Sequence, residues 1–383
     1  MTDRLSRNGD LTPTLPDAKR WLGERVADGS HPFGEADASV AARAVDTLPG
    51  VDPVSWAGHW TTFAAEFADQ AETLQRSSEV PAARRAWWQA YQFAFLGRYP
   101  TTNDPAKQRA YDRAREYFAR AVALDDPSAE QVAVPFDGRG GEGDRVTFWV
   151  ARPAGVDRPA VVMMWGGIDG WKEETYALGR LLRDRGFATV HLDMPGTGQS
   201  PVLAGTDAER QWDPVFAWLA GSDLDASRVA ALGVSFGGYW AMKLAHTHRD
   251  RLAAAVNWGG GVHLTFQRDW QQKSRNASSY LMDLMAARAR TFGGCTFEDY
   301  VAHCAGLSLL DQGLLDRPCA PLLLVNGVDD LQNSAEDIHL SLRYGDPKTA
   351  RLFPGGHMGT GPVLPTIVSW LAGRLAGVHP VIG

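Results

Sequence analysis

Gly233-Val234-Ser235-Phe236-Gly237 sets a serine between two glycines, after the apolar run RVAALGV and before the helical pattern FGGYWAMKLA. Where a strand reverses into a helix within a few residues, glycines two positions either side let the backbones pass closely. The serine between them is then held in a strained conformation with its hydroxyl exposed at the strand's C-terminal end. The amide of Phe236, at the start of the helix, would point to where an oxyanion develops. A serine hydroxyl is a poor nucleophile near neutral pH, so it needs a base and a group to orient that base. Around turns of this kind the partners follow in the chain, acid before histidine, at the ends of later strands. His357 ends the run ARLFPGGHMG, just before PTIVSWLAGRLA, which reads as a final helix. PLLLVNGVDD ends in two acids; the spacing of three from Gly327 selects Asp330, and Asp329 is the alternative, otherwise a turn-capping residue. The chemistry expected is nucleophilic catalysis by Ser235, with His357 as general base and Asp330 holding the imidazole's tautomer.

A second oxyanion donor is expected from MMWGGIDGWKEE, where Gly166-Gly167 lets the backbone approach a substrate carbonyl. The amide of Gly167 or of Ile168 would supply it. Trp165, Trp171, Trp240 and Trp258 lie at or next to the ends of apolar runs around the serine, and Trp270 follows. Aromatic walls suit flat, conjugated ligands through stacking, although core packing would account for the same residues. Among the other histidines, His246 and His248 lie near a helix C-terminus, where a partly charged imidazole complements the dipole. No further ligand motif accompanies their H-x-H spacing, so no metal is expected. His263 and His303 fall in a long inter-strand segment and are candidates for substrate contact. Gly196-Thr197-Gly198 in HLDMPGTGQS lacks the third glycine of a dinucleotide site, so no nucleotide cofactor is expected either.

The elements that must position these residues are legible as patterns. AVVMMW, ATVHLD, RVAALGV, AAAVNW, PLLLVNG and ARLFPG alternate with helical stretches, as parallel strands covered on both faces do. QVAVPF and RVTFWVA flank the Gly-rich DGRGGEGD as a hairpin. Up to about Asp126 the chain reads as helical. Trp56, Trp60, Phe63, Phe67, Ala71 and Leu74 recur three or four apart, Pro81 precedes Trp87, Trp88, Tyr91 and Phe95, and Asp104-Pro105 opens a third helix. No fixed period links these helices, which argues against a repeat array. The expected organisation is a helical N-terminal region, 1–126, and an α/β catalytic domain, 127–383. Within the latter, residues 259–320 exceed an ordinary crossover and read as a helical insertion near the strand ends, before the strand that carries the acid.

Composition narrows the partners. The chain has 383 residues, 44% hydrophobic and 22% charged, with a formal net charge of -7 that gives no reason to expect nucleic acid or an anionic membrane. No apolar run approaches the ~20 residues that span a bilayer. MTDRLSRNGDLTPTLPDAKRW lacks the apolar core of an export signal. Cys295, Cys304 and Cys319, an odd number without metal-ligand spacing, read as reduced thiols of a cytoplasmic protein. In that compartment the sequon Asn276-Ala277-Ser278 has no consequence.

Together, GGIDGWKEE, LDMPGTGQS, GVSFGGYWA, NGVDD and GGHMG, spread over residues 131–375, carry a family likeness. The chain resembles the α/β-hydrolase subgroup of the fermentation-respiration-switch esterases, 2,6-dihydroxypseudooxynicotine hydrolase and fungal hydrolases that shorten polyketide pigment precursors. G-x-S-x-G alone is shared by many hydrolases; the G-G-x-D-x-x-K-E-E loop with an aromatic N-terminal helical region is more specific. The resemblance implies an α/β-hydrolase fold with a mostly parallel central sheet, N-terminal helices that cap the active site, a homodimer, and a triad of Ser235, Asp330 and His357. The expected reaction is hydrolysis of a C–C bond in a β-diketone or acyl-aromatic ketone, or of an ester, in an aromatic or polyketide-like small molecule. The alternatives are a general carboxylesterase, a thioesterase or an acyltransferase on small acyl groups. A non-enzymatic scaffold is disfavoured because every triad member is present.

Overall fold

The computed structural model describes residues 12–276, 280–344 and 347–376. Residues 1–11 of the supposed leaderless N-terminus, and Ala277 and Ser278 of the sequon, lie outside the described residues. Two compact units emerge: Met1–Ala129 with Ser278–Arg290, and Glu130–Ala277 with Thr291–Gly383.

The first unit is helical, with α1 (Leu15–Asp28), α2 (Ala38–Thr47), α3 (Pro53–Arg76), α4 (Val80–Arg98) and α5 (Pro105–Asp125). Local chemistry starts the helices. The Asp52 carboxylate accepts the Ser55 amide at 3.0 Å and Asp104 accepts that of Ala106 at 2.7 Å. Each cap is followed by a proline, whose missing N–H is harmless in a first turn. The aromatic stripe of α3 is buried against α4: Trp60 and Phe63 lie 6.3 and 6.0 Å from Phe93 between ring centroids. Trp56 Nε1 finds an acceptor in Leu96 O at 2.8 Å, which removes the penalty of burying an indole N–H. Helices α1 and α2 bury few side chains, Ala18 and Leu22 in one and Ala41, Ala44 and Val45 in the other, so their periodicity is faint in the sequence.

The second unit is built on an eight-stranded sheet. Its strands are β1 (Glu130–Pro135), β2 (Arg145–Ala151), β3 (Ala160–Trp165), β4 (Ala188–His191), β5 (Asp225–Val234), β6 (Ala254–Trp258), β7 (Leu322–Gly327) and β8 (Lys348–Phe353). Their order is β1-β2-β4-β3-β5-β6-β7-β8. The β1–β2 hairpin and the β2–β4 pairing are antiparallel and every other pairing is parallel. The helices are α6 (Lys172–Arg183), α7 (Asp213–Ala220), α8 (Phe236–Thr247), α9 (Arg268–Lys273), α11 (Phe297–Gly306), α12 (Glu336–Ser341) and α13 (Val363–Leu375), with α10 (Leu284–Arg290) falling in the first unit. Alternate residues of the central strands, Val162 and Met164, Ala230 and Leu232, Ala254 and Val256, Leu323 and Val325, share one buried cluster with Ile367 and Leu371 of α13. Helix α8 packs against β5 and β6. Among the described residues no helix is long and apolar enough to cross a membrane.

The supposed insertion, 259–320, is not one body. Residues of its middle join the helical unit, because the buried Lys107 ammonium needs a counter-charge and takes it from Asp283 at 2.9 Å. Asn103 also donates to Asp283, and Tyr280 stacks on Tyr99. Helices α9 and α11 stay with the sheet.

Candidate active site

The parallel strands end in register, and the turns leaving those ends build the site. Trp165 pairs with Gly233, Val234 with Trp258, and Trp258 with Val325. At the end of β5 the chain turns through Ser235, whose φ of 56° lies in the left-handed region that residues with a side chain rarely adopt. Its amide donates to Trp258 O at 2.7 Å and its carbonyl accepts from Gly238 N at 2.8 Å, so both neighbours of the turn hold it. The flanking glycines are required. A Cβ on Gly233 would lie 1.9 Å from Gly237 O, and one on Gly237 would lie 2.2 Å from Gly166 O.

His357 follows β8 and reaches both partners. Its Nε2 lies 2.7 Å from Ser235 Oγ, and its Nδ1 lies 2.8 Å from Asp330 Oδ2. A carboxylate can only accept, so Nδ1 carries the proton and Nε2 is left with a lone pair for the serine hydroxyl. Asp330 is fully enclosed, and its oxygens also accept from Asn326 Nδ2 at 2.9 Å, Gln332 N at 2.7 Å and Asn333 N at 3.2 Å. Burial alone would raise its pKa, but the bonds and charge from His357, Asn326 and Gln332 outweigh it and hold the carboxyl below the usual range. The carboxylate's contribution to stability is therefore complete above the unfolded pKa and lost as pH falls through the lower folded value. Asp329 is exposed and engages through its amide, which donates to Gly355 O. Of the two acids, Asp330 is the one that meets the histidine.

The backbone of Gly167 passes beside the hydroxyl: a Cβ there would lie 2.8 Å from Ser235 Cβ and 3.1 Å from Oγ. Phe236 opens α8, and the amides of a helix's first turn have no intrahelical acceptor. The geometry thus brings Gly167 and Phe236 to the nucleophile from two sides. Ile168 is buried, with its carbonyl accepting Trp171 Nε1 at 3.2 Å.

The charged residues of GGIDGWKEE and LDMPGTGQS fix this loop. Lys172 Nζ lies 2.8 Å from Asp193 Oδ2 and 2.9 Å from Glu173 Oε1, all three side chains at most 1% exposed. The Lys172 amide adds a bond to Asp193 Oδ1 at 3.0 Å, and Gln199 N donates to Oδ2 at 2.8 Å. Burial opposes the Lys172 charge, but Asp193 and Glu173 outweigh it and raise its pKa, while burial pushes the Glu173 carboxyl up. Lys172→Met would leave two carboxylates enclosed without their cation. It should cost about 3–5 kcal/mol, read as a lower denaturant midpoint; an unchanged midpoint would contradict the assignment.

The tryptophans require a correction. Trp165 and Trp240 have no exposed surface and pack with Trp212, at 4.8 Å for Trp165–Trp212 and 6.1 Å for Trp212–Trp240. They are interior residues rather than walls of an open site. Trp165 Nε1 donates to Gly237 O, which braces the serine turn from beneath. Trp171 is likewise buried, whereas Trp258 is half-buried with Nε1 on Met358 O at 2.9 Å. Phe236, next to the nucleophile in the chain, also lies open in part and packs on Tyr239 and Phe266. The motif gave only its amide a role, and no spacing rule singles out its ring. His246 is also corrected: burial pushes it down to about 4, so it is neutral rather than a charged cap. His263 Nδ1 bonds Ser308 Oγ at 2.7 Å, and His303 stacks on Phe292.

A family model described as Esterase FrsA-like matches residues 35–345. Esterase FrsA of Photobacterium profundum is 25% identical over 346 residues, covering 87% of this chain and 79% of that protein. The 2,6-dihydropseudooxynicotine hydrolase of Paenarthrobacter nicotinovorans is 28% identical over 287 residues, covering 73% and 75%. The crystal structure of 2,6-dihydroxy-pseudo-oxynicotine hydrolase shares the fold, with a TM-score of 0.76 at 24% identity over 92% of this chain and 95% of that one.

Proposed function

The chain belongs to the FrsA-like esterase family, and from that premise we propose that it is a serine hydrolase using Ser235, His357 and Asp330 on a conjugated ketone or ester. The observation that carries this reading is the unbroken relay from Ser235 Oγ through both imidazole nitrogens to Asp330 Oδ2. Ser235 Oγ attacks the carbonyl carbon as its proton passes to His357 Nε2, and Asp330 stabilises the imidazolium. The amides of Phe236 and of Gly167 or Ile168 bind the oxyanion, a donor whose removal typically costs ~2.7–4 kcal/mol. Collapse breaks the bond to the leaving group, which takes the proton from His357. Water then attacks the acyl-enzyme, giving its proton to His357, and Ser235 is regenerated as the acid departs.

For a β-diketone the leaving group is an enolate, delocalised over the neighbouring carbonyl, so a C–C bond can break through the same steps as an ester's C–O bond. The half-buried Phe236 ring, backed by Phe266 and Tyr239, supports a flat, conjugated substrate. So does the substrate in the name of the pseudooxynicotine hydrolase relative. The family's description as esterases favours a second reading, a carboxylesterase on simpler acyl groups. Incubating the protein with a 1-aryl-1,3-diketone and with an aryl ester of matched size separates the two. The main reading expects a carboxylic acid plus a methyl ketone from the diketone, by net addition of one water. Ester cleavage alone would replace it with the carboxylesterase reading, and turnover of neither by folded protein would contradict both.

A further inference from the structure

We propose that Asn326 and Trp258 are positioning residues that hold His357 against Ser235 by clamping the strained turn at Met358; this rests on the triad reading above. Met358 follows the histidine with a φ of 68°, a left-handed value for a residue with a side chain. Such a turn persists only when its surroundings over-determine it. Here side chains from two adjacent strands hold both backbone groups of that one residue. Asn326 Oδ1 accepts the Met358 amide at 3.0 Å, and Trp258 Nε1 donates to the Met358 carbonyl at 2.9 Å.

Each clamp residue also holds another member of the site. Asn326 lies in β7, 2% exposed, and its Nδ2 donates at 2.9 Å to Asp330 Oδ2, the oxygen that accepts the hydrogen bond from His357 Nδ1–H. One primary amide thus ties the acid with its donor end and the histidine turn with its acceptor end. Trp258 ends β6, and its carbonyl accepts the Ser235 amide at 2.7 Å. One tryptophan therefore ties the nucleophile's backbone with its peptide and the base's turn with its indole. The packing leaves little slack: a Cβ on Gly259 would lie 2.9 Å from Met358 Cγ and 3.3 Å from His357 Cε1. The bonds of both side chains go to the histidine turn and the acid rather than to Ser235 Oγ or His357 Nε2. Their effect is exerted through the Oγ–Nε2 and Nδ1–Oδ2 distances.

The test uses the full chain with Trp258→Phe, which keeps an aromatic ring and deletes the N–H, and Asn326→Ala. Three readouts apply: the rate at which a fluorophosphonate labels Ser235, kcat and KM on an aryl ester, and the downfield Nδ1–H proton resonance of His357. Misplacing a catalytic group by about 1 Å can cost about 10²-fold. Both variants should label and turn over slower by about that factor, with KM little changed and the His357 resonance displaced or lost to exchange. Should Asn326→Ala fail to fold, Trp258→Phe decides. A folded Trp258→Phe protein that labels at the wild-type rate with an unmoved resonance overturns the proposal, as does a loss confined to KM. If the wild-type protein itself does not label at Ser235, the serine reading fails and the positioning role falls with it.

Discussion

Ser235→Ala is expected to lower kcat by about six orders of magnitude, the loss seen when a serine nucleophile that acts as a unit with its base is removed. The fold should survive the change. Ser235 Oγ has His357 as its partner, and the bonds that shape the turn are made by the backbone, to Trp258 O and from Gly238 N. Alanine takes the same place between the glycines without adding volume. KM should stay near its wild-type value, since the proposed oxyanion donors, the amides of Phe236 and of Gly167 or Ile168, remain. Residual hydrolysis above the uncatalysed rate is expected from those amides. A variant that folds like the wild type and retains ordinary turnover would show that the serine is not the nucleophile.

Asp330→Asn should lower kcat by about four orders of magnitude, whereas Asp329→Asn should be close to neutral. The argument turns on the tautomer. An asparagine at 330 can offer an N–H to His357 Nδ1, which then becomes the acceptor and leaves the proton on Nε2. In that state the imidazole cannot accept the Ser235 proton. The variant also loses the charge that stabilises the imidazolium, while an amide oxygen can keep the bonds from Gln332 N and Asn333 N that shape the loop. Asp329 has its side chain exposed and holds its turn through the backbone, which a change to asparagine does not touch. Steady-state kinetics on both variants decide; a larger loss at 329 than at 330 would transfer the role of acid.

The nucleophile turn was legible because its requirement is local. Two glycines and a serine within five residues, between an apolar run and a helical pattern, are what a close strand-to-helix reversal needs, and the backbone collisions at Gly233 and Gly237 give the reason. The parallel strands were legible because strands buried on both faces read as continuous apolar runs. What escaped depends on partners distant in the chain. Trp165 and Trp240 looked like site walls until Trp212, from another element, filled the space beside them. The middle of the long segment after β6 joins the N-terminal helices through Lys107 and Asp283, 176 positions apart. Trp258 meets Met358 across 100 positions, and nothing in the apolar run PLLLVNG marks Asn326 until its side-chain bonds to Asp330 and Met358 are seen. Tertiary pairing of that kind leaves no periodic trace.

The most direct test of the central claim is intact-mass measurement after exposure to a fluorophosphonate, with peptide mapping of the adduct, on the wild-type protein and on His357→Ala. An activated serine in the arrangement described gives one adduct, on Ser235, that disappears when His357 is removed. An adduct elsewhere, an adduct that survives His357→Ala undiminished, or none at all on folded wild-type protein would contradict a Ser235–His357–Asp330 mechanism.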